Sequence, residues 1–214
     1  FLGPNGAGKT TTIRLLLGLI APSAGAATVL GRDVSAAGAA WRGDIGYLPG
    51  ELALWPSLSG ARTLAFLEQL TGRAASWRAE LVERLEFSAA DLARRVGTYS
   101  DGMKQKIGII QALQCAPRLV LLDEPTKGLD PLVQQAFYEL LVELGRRGTT
   151  VFFSSHVLPE VERVCTRVAM LRRGRLASIG RVEQLRGAMP RRVTAVFGAD
   201  VDPAVLAQFG TVLT

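Results

Sequence analysis

The chain has 214 residues, of which 48% are hydrophobic and 21% charged, with a formal net charge of +6 at pH 7. These proportions are those of a globular protein and exclude a disordered chain, a collagen and a coiled coil. The most hydrophobic stretches, at 15–21 and 119–122, are much shorter than the ~18 residues of a membrane-spanning helix.

The positive charge is mostly arginine, because only four of the 25 basic residues are lysines. The basic residues are scattered, with a denser stretch at 163–192. We interpret that stretch as a solvated face, with contact to phosphates or membrane headgroups as the alternative, and we expect no nucleic-acid partner. Cys115 and Cys165 have no metal-ligand spacing, so we expect two buried thiols in a reducing compartment.

Strands and helices alternate along the predicted chain. Strands are expected at 1–2, 27–30, 44–48, 118–122, 149–154 and 167–171, and helices at 10–20, 62–70, 77–87, 91–96, 101–115, 131–145 and 158–165. This order favours an α/β fold with a mostly parallel sheet that is covered by helices on both faces. The stretch without strands, at about 50–103, predicts an inserted helical subdomain.

Both ends of the sequence have the pattern of interrupted elements. Residues 1–2 are typical of the end of a strand, so we expect the chain to be a fragment. Near the other end, 192–197 alternates like a strand, a short helix is expected at 202–210 and a further strand at 211–213. Residues 189–214 are therefore predicted to begin a small α+β accessory domain.

Residues 3–10 match the pattern G-x-x-x-x-G-K-[ST] between a strand and an amphipathic helix. In such a loop, consecutive backbone N–H groups and the positive end of the helix surround one anion. Lys9 is expected to reach the β- and γ-phosphates of a nucleotide, and the Thr10 hydroxyl to bind Mg²⁺. Alone, the motif indicates a P-loop nucleotide hydrolase, with these nucleotide-binding residues: Gly3, Pro4, Asn5, Gly6, Ala7, Gly8, Lys9, Thr10 and Thr11.

Two adjacent acids follow a buried strand at 119–122. Parallel sheets bind ligands at the carboxyl ends of their strands, which is where Asp123 and Glu124 are expected to lie. Asp123 is predicted to hold Mg²⁺, and Glu124 to act as the general base for an attacking water. The alternative is an exposed strand end without chemistry.

The segment 99–105, Tyr-Ser-Asp-Gly-Met-Lys-Gln, separates the remaining classes of nucleotide hydrolase. A small GTPase is disfavoured because the sequence has no N-K-x-D guanine reader. Ser100 is predicted to be a helix N-cap, and Gly102 leaves backbone N–H groups free at a helix start, which would form a second anion site. An ordinary helix cap is the alternative.

Taken together, these motifs resemble the ATP-binding cassette (ABC) family over about residues 1–188. The corresponding segments are the P-loop at 3–10, the signature at 99–105 and the Walker B strand at 119–124. The D-loop with Asp130 and the switch histidine, His156, follow in the family's order. The sequence at 121–131 and the form of the signature are similar to those of bacterial multidrug or antibiotic exporters, whose permease is usually a separate chain.

The resemblance implies a RecA-like P-loop ATPase domain at 1–188 that uses ATP and Mg²⁺ to power an exporter. Glu124 and His156 would be catalytic, His156 as the sensor of the γ-phosphate, with Thr10 and Asp123 as metal ligands. Expected partners are integral-membrane permease subunits and a second copy of the chain, at the cytoplasmic face of the cell membrane. The signature residues would serve the ATP of that second copy: Ser100, Asp101, Gly102 and Met103.

The sequence departs from the family pattern at three places. The aromatic residue that stacks on adenine, which the family places before the P-loop, is absent, and Asp101 occupies a variable signature position. The family's Q-loop glutamine is replaced by Gly50, which is followed by Glu51. Glycine has no side chain for a metal, so we expect Glu51 to take over the metal-side role, with a solvated loop residue as the alternative.

Two other functions remain open at this point. A soluble cassette ATPase could act on ribosomes or nucleic acid, although such relatives carry two cassettes and a long charged linker. A cassette that binds ATP as a clamp and hydrolyses it weakly is motivated by the altered residue at position 50. The transported substrate is not encoded here, because it contacts the permease.

Overall fold

A computed structural model describes residues 1–35 and 39–184. The elements predicted at 192–197, 202–210 and 211–213, and the accessory domain from 189 onward, lie outside these residues. The described helices are α1 Lys9–Leu16, α2 Gly60–Thr71, α3 Arg78–Arg84, α4 Ala89–Ala93, α5 Asp101–Leu113, α6 Pro131–Arg146 and α7 Leu158–Val164, with 3₁₀ turns at Ala39–Asp44 and Val96–Thr98. The strands are β1 Thr28–Val29, β2 Arg32–Asp33, β3 Ile45–Leu48, β4 Leu119–Asp123, β5 Thr150–Ser154, β6 Arg167–Arg172 and β7 Arg175–Arg181.

The central sheet is parallel, as the alternation of strands and helices predicts. Strand β4 lies between β3 and β5, with Leu121 opposite both Tyr47 and Phe152. Leu2 forms parallel bridges with Ser155 and Met170, so residues 1–2 run between the end of β5 and the middle of β6. The P-loop that follows Leu2 therefore begins at the carboxyl edge of the sheet, where α/β proteins place their ligands.

Strand β4 contributes to a hydrophobic core on each face of the sheet. Val120 and Leu122 belong to the core that also contains buried residues of α5 and α6. Leu119 and Leu121 belong to the opposite core, with Ile13 of α1. Successive side chains of a strand point to opposite faces, so an uninterrupted apolar strand requires cover on both.

The inserted helices α2, α3 and α4 form where the sequence predicts a stretch without strands. Ser59 and Ser88 cap α2 and α4 by accepting backbone N–H groups of the first turn. Arg78 of α3 donates to the side chain of Gln114, directly after α5, at 2.8 Å and so joins the insertion to that helix. It also donates to Glu68 of α2 at 2.6 Å, which joins two helices of the insertion. The helix expected at 91–96 is wrong in its bounds, because the backbone is already extended at residue 94, just after α4.

Several short elements were not predicted. The strand expected at 27–30 is only Thr28–Val29, and it pairs with the unpredicted β2. Strand β7 also lacked a sequence signal, because its residues are nearly all exposed and show no apolar alternation. Within the described residues, no helix is both long and apolar enough to cross a membrane.

Candidate functional site

The P-loop has the backbone geometry of an anion cradle. Gly6 and Gly8 have φ values of 75° and 104°, in the left-handed region that favours glycine. Gly8 is the N-cap of α1 and has no side chain to cap it, so the first-turn N–H groups of α1 are available to a ligand. Gly3 is also required, because a Cβ atom there would lie 2.6 Å from the carbonyl oxygen of Leu171.

Lys9 lies between the P-loop and the predicted general base. Its side chain is only 6% exposed, and its Nζ atom donates to the carbonyl oxygens of Gly3 at 2.9 Å and Pro4 at 3.2 Å. The same Nζ atom is 3.4 Å from Oε1 of Glu124. A buried ammonium group needs such partners, and here they hold it where the P-loop would present phosphates.

The side chains of Thr10 and Asp123 are in direct contact, as their predicted role as magnesium ligands requires. The Thr10 hydroxyl donates to Oδ2 of Asp123 at 2.5 Å, and the Ser154 hydroxyl donates to Oδ1 at 2.5 Å. Asp123 is 2% exposed at the carboxyl end of β4. Hydroxyl and carboxylate oxygens are the ligands that Mg²⁺ prefers, so this pair fits the ion. Ser154 was not identified from the sequence, because a serine at a strand end belongs to no motif.

The Glu124 carboxylate lies close to two other predicted site residues, Lys9 and His156. Its φ of 49° places a non-glycine residue in the left-handed region, a strained conformation that is concentrated at functional sites. The Glu124 N–H donates to the Ser154 carbonyl at 3.2 Å, which holds the turn. Nδ1 of His156 lies 3.2 Å from Oε1 of Glu124, on the oxygen that also faces Lys9.

The loop after β3 places position 50 close to Asp123, one of the two predicted metal ligands. A Cβ atom at Gly50 would lie 3.3 Å from Oδ2 of Asp123. Glu51 is exposed and lines the same cleft. The metal-side role of Glu51 therefore stays a prediction, compatible with its position.

These residues surround an open cleft of about 450 Å³. Four of its lining residues were missed by the sequence analysis: Arg14, Tyr47, Pro49 and Lys127. Burial raises the pKa of the Tyr47 hydroxyl, and the nearby Asp123 carboxylate adds to that effect. The complete lining is 5–11, Arg14, Tyr47, Pro49, Gly50, Glu51, Asp123, Glu124 and Lys127.

The signature residues do not line this cleft in the described part of the chain. Ser100 caps α5 by accepting the Met103 N–H at 3.2 Å, as predicted, and Asp101 pairs with Lys104 at 3.2 Å. A Cβ atom at Gly102 would lie 2.7 Å from the Gly128 carbonyl oxygen, so the start of α5 packs on the loop that precedes α6.

That loop ends at Asp130, which is the N-cap of α6. Its carboxylate accepts the Val133 N–H at 3.0 Å, and this bond lowers the pKa of Asp130. Gln105 of α5 donates to the Pro125 carbonyl at 2.7 Å, which joins the signature helix to the segment after Glu124. The signature and the D-loop thus form one packed unit.

Comparison with known proteins finds a matching family model and related ATP-binding proteins. The family model described as "ABC transporter" matches residues 1–127. An uncharacterized ABC transporter ATP-binding protein of Nostoc sp. is 40% identical over 87% of this chain and 56% of its own length. The linearmycin resistance ATP-binding protein LnrL of Bacillus subtilis is 37% identical over 84% of this chain and 58% of its own length. The ABC transporter ATP-binding protein NatA of Bacillus subtilis is 38% identical over 86% of this chain and 76% of its own.

The chain thus spans little more than half the length of several curated relatives it matches. Among solved structures, the ATP-binding subunit of an ABC transporter aligns with a TM-score of 0.80 and 30% identity over 87% of this chain and 79% of that chain. A dimeric ATP-binding cassette in a post-hydrolysis state with ADP and Pi aligns with a TM-score of 0.74 and 22% identity over 85% of this chain and 83% of that chain. At that identity, the second likeness concerns the fold alone.

Proposed function

Since the chain belongs to the ABC transporter family of ATP-binding proteins, we propose that it binds ATP with Mg²⁺ and hydrolyses it to power a transporter. Its membership of this family and its P-loop NTPase fold confirm the resemblance noted from the sequence motifs. The observation that carries the proposal is the convergence of Lys9, Asp123, Glu124 and His156 at one edge of the sheet. We take 1–188 as the ATPase domain, with its helical insertion at about 50–103.

The proposed reaction assigns one task to each side chain. The N–H groups of the P-loop and the Lys9 ammonium bind the β- and γ-phosphates. Thr10 and Asp123 would hold Mg²⁺, which would supply neutralisation of phosphate charge when bound. Glu124 accepts a proton from the water whose oxygen attacks the γ-phosphorus, and the bond to the β,γ-bridging oxygen breaks to give ADP and phosphate. His156, beside Glu124, orients the γ-phosphate.

We further propose that the working unit is a dimer bound to a membrane permease. The signature residues Ser100 and Gly102 lie outside the chain's own cleft in the described residues, which supports a role at the nucleotide of a second copy. The permease subunits would be separate proteins that place the dimer at the cytoplasmic face of the membrane. Motion would pass to them through the helical insertion.

An exporter of drugs or antibiotics is the finer proposal. It is supported by the linearmycin resistance relative and by the exporter-like sequences at 99–105 and 121–131. The test is a deletion in the host, complemented with wild-type or Glu124→Gln protein and challenged with a panel of antibiotics. Sensitisation that only the wild-type protein reverses supports export, whereas unchanged sensitivity to every compound contradicts it.

Nucleotide binding has a more direct test in Lys9→Ala. We expect this variant to bind a fluorescent ATP analogue about ten- to hundredfold more weakly, because two charge-assisted phosphate contacts are removed. Arg62→Ala, at an exposed position of α2 that does not line the cleft, is the control. If the two variants bind the ATP analogue with equal affinity, the cleft is not the nucleotide site.

A further inference from the structure

A cluster of three hydroxyl groups surrounds the Glu160 carboxylate beside the hydrolytic residues. Oε1 of Glu160 accepts hydrogen bonds from the Thr126 hydroxyl at 2.7 Å and the Tyr138 hydroxyl at 3.0 Å. Oε2 accepts one from the Ser155 hydroxyl at 2.5 Å. Thr126, Tyr138 and Ser155 are all buried. The donors come from three separate segments, so one carboxylate joins the loop after β4, helix α6 and the end of β5.

The chemistry of the cluster fixes the direction of its hydrogen bonds. An ionised carboxylate only accepts, and each of the three hydroxyls has one proton to donate. Burial, with the Glu160 hydrogen bond, raises the pKa of Tyr138 to about 12, so the phenol remains a donor at neutral pH. The Ser155 oxygen in turn accepts the Val157 N–H at 2.9 Å, which closes the turn around His156.

Two of these donors are adjacent in sequence to the hydrolytic residues. Ser155 immediately precedes His156. Its carbonyl oxygen also accepts the N–H of Gly3, the first residue of the P-loop, at 3.3 Å. Thr126 is two residues after Glu124. A cavity of about 300 Å³ is lined by Glu124, Thr126, Ser155, His156 and Glu160, so the Glu160 carboxylate and two of its three donors share one space with the hydrolytic pair.

We propose that Glu160 is a positioning residue for hydrolysis. Its carboxylate holds the segments that carry Glu124 and His156, and thereby sets the 3.2 Å approach of their side chains. Glu160 does not line the larger cleft that contains the P-loop and Asp123, so it acts through other residues rather than on the substrate. This inference rests on the proposed function, because the approach of Glu124 to His156 matters for turnover only in an ATPase.

The experiment separates positioning from general stability with Glu160→Gln and Tyr138→Phe in the full-length protein. Glutamine keeps the size of the side chain but replaces one acceptor oxygen with an NH₂ donor. Tyr138→Phe removes a bond to the same carboxylate from α6, a helix without hydrolytic residues. We expect Glu160→Gln to lower kcat about ten- to hundredfold, as loss of alignment does, with ATP affinity within about twofold of wild type.

Two controls complete the kinetic design. Glu139→Gln changes an exposed carboxylate on α6 and should leave kcat and the melting temperature unchanged. Tyr138→Phe should lower the melting temperature at least as much as Glu160→Gln while reducing kcat less than about threefold. If kcat falls only in proportion to the melting temperature across these variants, Glu160 is merely structural and the proposal fails.

A spectroscopic readout reports the position of His156 independently of turnover. The ¹H–¹³C cross-peak of its Cε1 atom is identified by its loss in His156→Asn. We expect this peak to move in Glu160→Gln and in Ser155→Ala, and to stay in place in Tyr138→Phe and Glu139→Gln. The double variant Ser155→Ala/Glu160→Gln should be no slower than the slower single variant, since both changes break the same link.

These readouts also distinguish failure of this inference from failure of the proposed function. A wild-type protein that binds ATP without hydrolysing it would remove the proposed function, while the His156 peak would still report whether Glu160 holds the histidine. An unmoved peak in Glu160→Gln and Ser155→Ala, or additive losses of kcat in the double variant, would overturn the positioning role.

Discussion

At the scale of single residues, the orientation of two adjacent carboxylates separates their proposed tasks. Both oxygens of Asp123 accept hydroxyl groups, from Thr10 and Ser154, in a site that is almost fully buried. One oxygen of Glu124 faces Lys9 and His156 instead. A rigidly bonded carboxylate is suited to hold a metal ion, whereas a partly exposed one that lines the cleft, as Glu124 does, can take a proton from water.

Glu51 and Gly50 give a prediction at the metal site. Because a Cβ atom at position 50 would lie 3.3 Å from the Asp123 carboxylate, the residue type there decides what reaches the metal ligands. We expect Glu51→Ala to raise the Mn²⁺ concentration for half-saturation about threefold or more in the presence of a non-hydrolysable ATP analogue, measured by electron paramagnetic resonance. Adding Gly50→Gln to the Glu51→Ala variant should partly restore the affinity for Mn²⁺.

Glu83→Ala, an exposed acid on α3, is the matched control for this measurement. If Glu51→Ala binds Mn²⁺ as the control does and hydrolyses ATP normally at limiting Mg²⁺, Glu51 is a solvated loop residue.

At the scale of elements, helix α5 joins the sheet, the insertion and the signature. Its packing on β3 requires Gly46, since a Cβ atom there would lie 1.9 Å from the Ala112 carbonyl oxygen. Backbone atoms cannot yield as a flexible side chain can. The helix and strand therefore approach at a distance that only glycine permits.

Two glycine substitutions should change the stability of the fold in opposite directions, and the first of them tests the packing of α5 on β3. Gly46→Ala should destabilise the fold by about 3 kcal/mol or more, because β3 or α5 must move. Gly145→Ala, inside α6 with open space around its Cβ position, should stabilise the fold by about 0.5–1 kcal/mol. Urea denaturation measures both changes. A Gly46→Ala protein as stable as wild type would contradict the close contact between helix and strand.

The signature end of α5 gives a prediction about assembly. Ser100 and Ser88 are both exposed N-caps that accept one backbone N–H, so replacing either with Glu costs about 1 kcal/mol of capping energy. Ser88 also donates to the Asp91 carboxylate, so the control substitution disturbs its own helix at least as much as the test substitution does. Only a carboxylate at position 100 would face the phosphates of a second copy. In a Glu124→Gln background with ATP, we expect Ser100→Glu to elute as a monomer and Ser88→Glu as a dimer in size-exclusion chromatography.

If Ser100→Glu elutes as a dimer, as Ser88→Glu should, the signature lies outside the interface between the two copies. Gly102 is a poorer probe of this surface, because any side chain there clashes with the Gly128 carbonyl of its own chain.

Long elements with clear end signals were predictable from sequence, and spatial clusters were not. Helix α6 begins at Pro131 after its Asp130 cap and ends one residue from the predicted bound, since both cap and periodicity are local. The contact between Thr10 and Asp123 followed from motifs that imply a shared ligand. The Glu160 cluster had no such signal, because its hydroxyl donors are far apart in the chain and belong to no periodic pattern.

At the scale of the whole molecule, our proposal assigns a function to two separate surfaces of the chain. The cleft gathers the P-loop, the loop after β3 and the end of β4. The signature, in the described structure, packs on the D-loop away from that cleft. In our proposal, a complete nucleotide site therefore needs two copies of the chain. Bound ATP would hold the two copies together, and its hydrolysis would let them separate.

The most direct test of this account is phosphate release by Glu124→Gln under single-turnover conditions, beside wild type and Glu83→Gln. We predict that Glu124→Gln binds Mg–ATP as wild type does and releases phosphate about 10²- to 10⁴-fold more slowly, the range expected for loss of a general base, while Glu83→Gln is unaffected. Phosphate release at the wild-type rate by Glu124→Gln would contradict the account.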